Sequence, residues 1–241
     1  MLLETDRGAE TARMLVAADG LASRLRRAEG LDVECPGPHR FGLRRHFRCA
    51  PWSDCVEVHL GDGAEAYVTP VSDQCIGVAF LWTGAETDGD GPRVEPGGVT
   101  PWGRLERRFP ALMQRLEYAI PDSKVRGAGP FARASSSRTR DRFALVGDAA
   151  GYVDAITGEG IALSLLSAAA LVRVLPDALA KGADRSRLAP YEREFRRLFR
   201  RYALMTRAVL AIASRPRLRR SLLRTFQRYP RLFDGVLSAA V

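Results

Sequence analysis

The chain is poor in the residues that build metal and disulfide sites. It has four cysteines and three histidines in 241 residues. The cysteines Cys35, Cys49, Cys55 and Cys75 form no C-x-x-C pair, and no histidine cluster accompanies them. This spacing does not favour a zinc site, so we expect the cysteines to act as small buried hydrophobic residues.

Long apolar runs and targeting signals are also absent. No run of about 18 uninterrupted apolar residues occurs, so no membrane-spanning helix is expected. Acidic residues stand in the first ten positions, where a signal peptide would have a basic start and an apolar run. We therefore expect a cytoplasmic protein.

Lysine is nearly absent, and the positive charge is unevenly distributed. The only lysines are Lys124 and Lys181, although the formal net charge is +9. Residues 185–241 contain 15 arginines and three acidic residues, a net charge of +12, which leaves −3 for the rest. This tail admits three interpretations: a solvated helix face packed on the same chain, attachment to an anionic membrane surface, or nucleic-acid binding. It contains no recognised DNA-binding motif.

The first 132 residues have the pattern of strands joined by short turns. A strand over 1–5, a turn at residues 6–8 and a strand over 12–17 indicate a hairpin. Four alternating segments predict an antiparallel sheet; they cover 41–47, 55–60, 65–69 and 74–82. A loop over 84–101, a helix over 102–120 and a strand over 125–132 follow.

The second half is predicted to be mostly helical. An apolar helix over 160–175 ends at Pro176. From Tyr191 the apolar residues recur alternately after four and three positions, which predicts a long amphipathic helix that Pro216 breaks. A second basic helix over about 217–227 ends at Pro230.

Residues 143–164 form the most informative segment. An apolar strand runs into Gly147-Asp148, a loop of small residues follows, and Thr157-Gly158-Glu159-Gly160 opens an apolar helix. Ligands bind beyond the carboxyl ends of strands in open α/β sheets. Asp148 can accept hydrogen bonds from ligand hydroxyls there, and the helix start directs free N–H groups at a phosphate or a reduced flavin.

A second segment, residues 15–26, has a similar arrangement in which aspartate precedes glycine instead of following it. An apolar strand ends at Asp19-Gly20, Ser23 can cap a short helix, and Arg26 lies one turn further on. Taken alone, this segment is an ordinary strand–turn–helix.

Together the two segments resemble the paired Asp-Gly and Gly-Asp motifs of FAD-dependent oxidoreductases with the para-hydroxybenzoate hydroxylase fold. That superfamily includes aromatic-ring monooxygenases, halogenases and geranylgeranyl reductase-like enzymes. The resemblance covers about residues 1–180, and residues 157–161 are its most specific part. It implies an α/β protein with a partial Rossmann-like FAD-binding domain (1–30 and 125–180), an inserted antiparallel substrate domain (31–124) and basic C-terminal helices (181–241).

The resemblance also implies roles for individual residues. Asp148, flanked by Gly147 and Ala149, would bond the ribityl or phosphate region of FAD. The residues beside the isoalloxazine ring and pyrophosphate would be Gly158, Glu159, Gly160 and Ile161. Support for FAD, and for NAD(P)H as electron donor, would come from Asp19, Gly20, Ser23 and Arg26. Candidate substrate-pocket residues in the middle sheet are Arg44, Arg45, Tyr67 and Thr69; no catalytic acid or base is assigned.

The glycine fingerprint that such enzymes carry before the Asp-Gly motif is not found. Only 18 residues precede Asp19. Residues 127–132 fit G-x-G-x-x-A, but they follow polar residues and include Pro130, unlike the strand and helix that this motif requires. We therefore expect the chain to correspond to the C-terminal two-thirds of such a flavoprotein.

The expected function is FAD-dependent redox chemistry on a small organic or isoprenoid substrate. Hydroxylation and reduction of a carbon–carbon double bond both stay open. The alternative is a non-catalytic fragment that no longer binds FAD, or a basic module that associates with a membrane or nucleic acid. The substrate and the oligomeric state do not follow from the sequence.

Overall fold

The computed structural model describes residues 2–61, 63–84, 100–229 and 231. The chain forms two compact units, one of residues 1–36 with 131–209 and one of residues 37–130 with 210–241. Most of the loop predicted over 84–101, and residues 232–241 of the predicted C-terminal region, lie outside the described residues.

The described residues form thirteen strands and six α-helices. The strands are β1 (Leu2–Thr5), β2 (Gly8–Thr11), β3 (Leu15–Ala17), β4 (Asp32–Val33), β5 (Arg40–Arg48), β6 (Glu57–Leu60), β7 (Ala64–Ser72), β8 (Cys75–Thr83), β9 (Ile120–Pro121), β10 (Arg126–Ala128), β11 (Ala134–Ser135), β12 (Thr139–Arg140) and β13 (Phe143–Leu145). The helices are α1 (Arg24–Ala28), α2 (Pro101–Glu106), α3 (Pro110–Arg115), α4 (Gly160–Ala180), α5 (Arg185–Ala213) and α6 (Pro216–Arg228).

The first unit is built on a small mixed sheet in the order β12-β13-β3, in which β3 and β13 run parallel. The core that α4 and α5 share with this sheet includes Phe143, Leu145, Leu171, Tyr191 and Phe195. A separate antiparallel hairpin joins β1 to β2, and β4 pairs with β11.

The second unit holds the predicted antiparallel sheet, which is confirmed. Its strands follow the order β10-β5-β8-β7-β6, and β9 also pairs with β5. Trp102 of α2 packs edge-on against Phe80 of β8, with 4.8 Å between ring centroids. Phe109 stacks on the same ring at 5.6 Å. The two short helices therefore cover one face of the sheet.

Three predicted elements in the first 132 residues differ from the observed ones. The strand predicted over 12–17 is wrong as a hairpin partner, because β2 pairs with β1 while β3 joins another sheet, where Ala17 is fully buried. The helix predicted over 102–120 is two helices, since Pro110 has no N–H and starts a new one. The strand predicted over 125–132 covers only Arg126–Ala128 and ends before Pro130.

Pro176 does not end α4, in contrast to the prediction. The helix continues to Ala180, Ala178 is fully buried, and Leu179 packs against the same core. This packing outweighs the hydrogen bond that proline removes. Among the described residues, α4 is also the one helix long and apolar enough to cross a membrane. A core helix of a water-soluble protein meets the same criterion, so no conclusion about a membrane follows.

Candidate functional site

The two motifs singled out in the sequence meet at one edge of the first unit's sheet. Asp19-Gly20 follows β3, and Gly147-Asp148 follows β13. Because β3 and β13 are parallel neighbours, their carboxyl ends lie side by side, where open α/β sheets bind ligands. The structure therefore brings together residues more than 120 positions apart.

Gly147 makes the turn that presents Asp148. Its φ is +58°, a left-handed conformation that glycine adopts without strain. A Cβ at this position would lie 2.9 Å from Ser164 Oγ of α4, and the Gly147 N–H donates to Ser167 Oγ at 2.9 Å. The Gly-Asp turn is thus held directly against the helix that follows it.

One oxygen of the Asp148 carboxylate is left unpaired by the residues that the structure describes. The side chain is half-buried, and its Oδ1 atom is buried with no hydrogen-bond partner among the described residues. Burial raises the pKa of Asp148 above its usual value. A buried acceptor without a donor costs free energy. A ligand hydroxyl that donated a hydrogen bond to Oδ1 would remove this cost.

Arg26 connects the two motifs from within the protein. It is completely buried, and each of its three guanidinium nitrogens has a partner. Nε donates to Asp32 Oδ1 at 2.6 Å, Nη1 to the Ala149 carbonyl at 2.9 Å and Nη2 to the Leu21 carbonyl at 3.0 Å. Arg26 therefore positions the Gly-Asp turn rather than reaching outward to a cofactor.

The Asp19 turn is stabilised by its own hydrogen bonds. Ser23 caps α1 as predicted, because its Oγ accepts from the Arg26 N–H at 2.9 Å. Asp19 is exposed and accepts from the Leu25 N–H at 3.1 Å. Partial burial would raise the pKa of Asp19, but hydrogen bonds from Ser23 and from the Leu25 N–H outweigh it and lower this pKa. Gly20, at φ +75°, closes the turn.

The loop before α4 leaves space for a ligand. Gly158 has a φ of +72°, and nothing lies within 4 Å of where its Cβ would be. A Cβ on Gly160 would lie 3.0 Å from the Tyr152 ring, which packs against the helix start. Glu159 precedes the first turn without making a side-chain cap, and its Oε2 is buried without a partner among the described residues. Ile161 is 77 % exposed.

Helix α5 holds this loop in place through residues that the sequence did not reveal as site residues. The buried Tyr202 hydroxyl donates to the Asp154 carbonyl at 3.0 Å and accepts from the Val153 and Asp154 N–H groups at 3.4 and 3.3 Å. Thr206 Oγ1 lies 3.3 Å from Thr157 Oγ1. The helical periodicity placed Tyr202 on the buried face. A buried tyrosine hydroxyl also needs a hydrogen-bond partner, and this need was the sequence signal that could have indicated its role.

Replacing Tyr202 with phenylalanine is expected to lower the free energy of unfolding by about 1–2 kcal/mol, because the loop loses its donor and acceptor while the ring stays. Urea unfolding measures the change. Tyr118→Phe is the matched control, since Tyr118 is 89 % exposed, and it should be neutral. Equal stability of the two variants would show that the hydroxyl does not hold the loop.

The predicted substrate residues of the second unit do not share one face. The register places Arg44, Ala79 and Tyr67 in one row, and His46, Gly77 and Thr69 in a row two residues away on the same face. Arg45 pairs with Val78 on the opposite, core-facing side and donates from Nε to the Ser123 carbonyl at 2.9 Å. Tyr67 and Thr69 are therefore together, and Arg45 is apart from them.

Comparison with known proteins agrees with this geometry. A family described as an FAD-binding domain matches residues 2–206. The chain belongs to this family. The match covers most of this chain, including Asp19-Gly20 and Gly147-Asp148, so the resemblance found in the sequence is confirmed.

Individual relatives of this FAD-binding chain share only part of their length with it. A digeranylgeranylglycerophospholipid reductase from Methanoculleus marisnigri is 25% identical over 194 residues, 77% of this chain and 46% of the relative. The chain thus spans about half the length of the curated relative that it matches.

Solved structures show the same fold. The Diels-Alderase PyrE3 matches 99% of this chain with 49% of its own, at a TM-score of 0.69 and 19% identity. PqsL, a probable FAD-dependent monooxygenase from Pseudomonas aeruginosa, matches 92% of this chain with 62% of its own, at 0.65 and 20%. The halogenase PltM in complex with phloroglucinol and FAD matches 78% with 42%, at 0.66 and 17%.

Proposed function

We propose that the chain holds FAD as part of an oxidoreductase. The observation that carries the proposal is the buried Asp148 Oδ1, which has no hydrogen-bond partner among the described residues and lies at the carboxyl end of β13, beside the start of α4. This atom fits a hydroxyl donor such as the ribityl chain provides. FAD, when bound, supplies hydride-transfer or oxygen chemistry that no side chain here provides.

The remaining residues bind and orient the cofactor. In this proposal the N–H groups of the first turn of α4 face the anionic part of the cofactor. Gly158 leaves room for a close approach of the ligand to the backbone, while Gly147 and Arg26 fix the direction of the Asp148 carboxylate. Tyr202 keeps the loop over 153–157 in one conformation. These roles require binding and positioning only, and no proton-transfer residue is assigned.

For the reaction, reduction of a carbon–carbon double bond in an isoprenoid lipid is the first candidate. It is supported by the reductase from Methanoculleus marisnigri, which is 25% identical. Hydroxylation of a small organic molecule is the second candidate, supported by the fold shared with the probable monooxygenase PqsL. NAD(P)H is proposed as the electron donor. Product formation under anaerobic conditions with NAD(P)H would support reduction, and a strict need for oxygen would support hydroxylation.

Cofactor binding is tested on the purified chain. We expect a yellow protein, or uptake of added FAD, with an absorption band at about 450 nm and altered flavin fluorescence. FMN, which lacks the adenosine monophosphate half of FAD, is titrated in parallel for comparison. A colourless preparation that also leaves the fluorescence of added FAD unchanged would contradict the proposal for this chain.

A further inference from the structure

Helix α6 carries a straight row of arginines. Residues 216–229 contain five arginines and no acidic residue. Arg217, Arg220, Arg224 and Arg228 recur at i, i+3, i+7 and i+11, which puts them on one helix face about 16 Å long. All four side chains are exposed. We call these four residues the α6 arginine face.

The charges of the α6 arginine face are not balanced within the described part of the chain. None of the four guanidinium groups has a carboxylate within salt-bridge distance there; Arg220 bonds the Pro216 carbonyl at 3.2 Å, and Arg228 lies over the Tyr229 ring. On α5, by contrast, Arg196 and Arg197 pair with Glu192 and Glu194. Four like charges in a row repel one another, so an external anionic surface would relieve this repulsion.

The other side of α6 is attached to its own unit. Arg219 Nη1 donates to the Gly61 carbonyl at 3.4 Å and to the Ala213 carbonyl at 3.2 Å. Leu222 and Phe226, which lie on the side of the helix away from the arginines, are half-buried. Contacts on the opposite side of α6 therefore hold the helix against its own unit, and the α6 arginine face is exposed to solvent.

Exposed leucines beside the arginines favour a bilayer as the anionic surface. Leu218 is 41 % exposed and Leu223 is 49 % exposed, and they lie on either side of the arginine row. Basic residues next to leucines suit the boundary between headgroups and acyl chains, whereas half or more of the hydrogen bonds to DNA go to phosphate and sugar, which exposed leucines cannot bind. We propose that the α6 arginine face adsorbs to an anionic lipid bilayer. The choice of a lipid surface rests on these leucines and on the isoprenoid-lipid substrate of the proposed function.

Vesicle co-sedimentation of the full chain tests this inference. With vesicles of equimolar phosphatidylcholine and phosphatidylglycerol at low salt, the chain should pellet. With pure phosphatidylcholine it should stay in the supernatant. Replacing all four residues of the face with glutamine should reduce partitioning at least about thirtyfold, and added salt should act in the same direction. Lysine at the four positions should retain binding.

A matched variant separates this face from net charge. Arg187, Arg193, Arg200 and Arg201 of α5 are also exposed, and their replacement with glutamine removes the same four charges. This variant should lose less than about threefold of the vesicle binding. The proposal would be overturned if both variants lost vesicle binding equally, or if the wild-type chain did not bind anionic vesicles. Binding to a DNA duplex without binding to vesicles would also overturn it. FAD uptake, measured separately on each variant, distinguishes this outcome from failure of the flavin site.

Discussion

Replacing Asp148 with alanine is expected to weaken FAD binding by roughly tenfold to a hundredfold, because a hydrogen bond to a charged acceptor contributes about 1.5–3 kcal/mol. The buried Oδ1 has no partner in the described part of the chain, so a ligand donor is its expected complement. Fluorescence titration with FAD measures the effect. Asp148→Asn, which keeps an acceptor oxygen but no charge, should fall between the wild type and the alanine variant.

Asp177→Asn is the matched control for this titration. Asp177 also lies in the first unit, on α4, but it is exposed and pairs with Lys181 at 2.5 Å. Its replacement should leave FAD affinity within about twofold, since exposed ion pairs contribute little. An unchanged affinity in Asp148→Ala would refute the role assigned to this carboxylate.

In the cofactor-free chain, by contrast, the Asp148 carboxylate is expected to lower the free energy of unfolding. Burial raises the pKa of Asp148, so the folded state binds this proton more tightly than the unfolded state does. The ionised form therefore destabilises the fold at neutral pH. This penalty shrinks as the pH falls through the raised pKa and is gone below the lower pKa of the unfolded state. Asp148→Asn should therefore raise the free energy of unfolding at neutral pH, and should raise it by less in acid.

The Arg26→Ala substitution is expected to lower the free energy of unfolding by about 1–3 kcal/mol, because it leaves the buried Ala149 carbonyl without its donor. Asp32 would lose its partner, and the carbonyls of Ala149 and Leu21 would lose their donors. Because Ala149 follows Asp148 directly, FAD affinity should also fall. Urea unfolding followed by circular dichroism gives the free energy, and flavin titration of the folded fraction gives the affinity.

Arg27→Ala provides the comparison. Arg27 is the next residue of α1 but is exposed, so its loss should change stability by less than about 0.5 kcal/mol. If Arg26→Ala were no more destabilising than Arg27→Ala, the buried guanidinium would not be what joins the two motifs.

The sequence by itself determined the features that depend on neighbouring residues. The alternation over 41–82 predicted the antiparallel sheet, and the strand, Gly147-Asp148, small-residue loop and Gly158-Glu159-Gly160 predicted the candidate flavin site. Ser23 as a helix cap and the break at Pro216 were predicted for the same reason. Each of these depends on side-chain periodicity or on local backbone preference, which a short window of sequence contains.

Only the tertiary structure decided which distant groups meet. The Arg26 guanidinium reaches the Ala149 carbonyl across 123 residues, and the Tyr202 hydroxyl reaches Asp154 across 48. Nothing in the local pattern specifies such partners, since a buried donor can be satisfied by any carbonyl that the fold brings near. Packing likewise carried α4 past Pro176 and moved residues 15–17 into a parallel pair with β13. Burial of Ala17 and Ala178 in a shared core outweighed the preferences that the sequence pattern expressed.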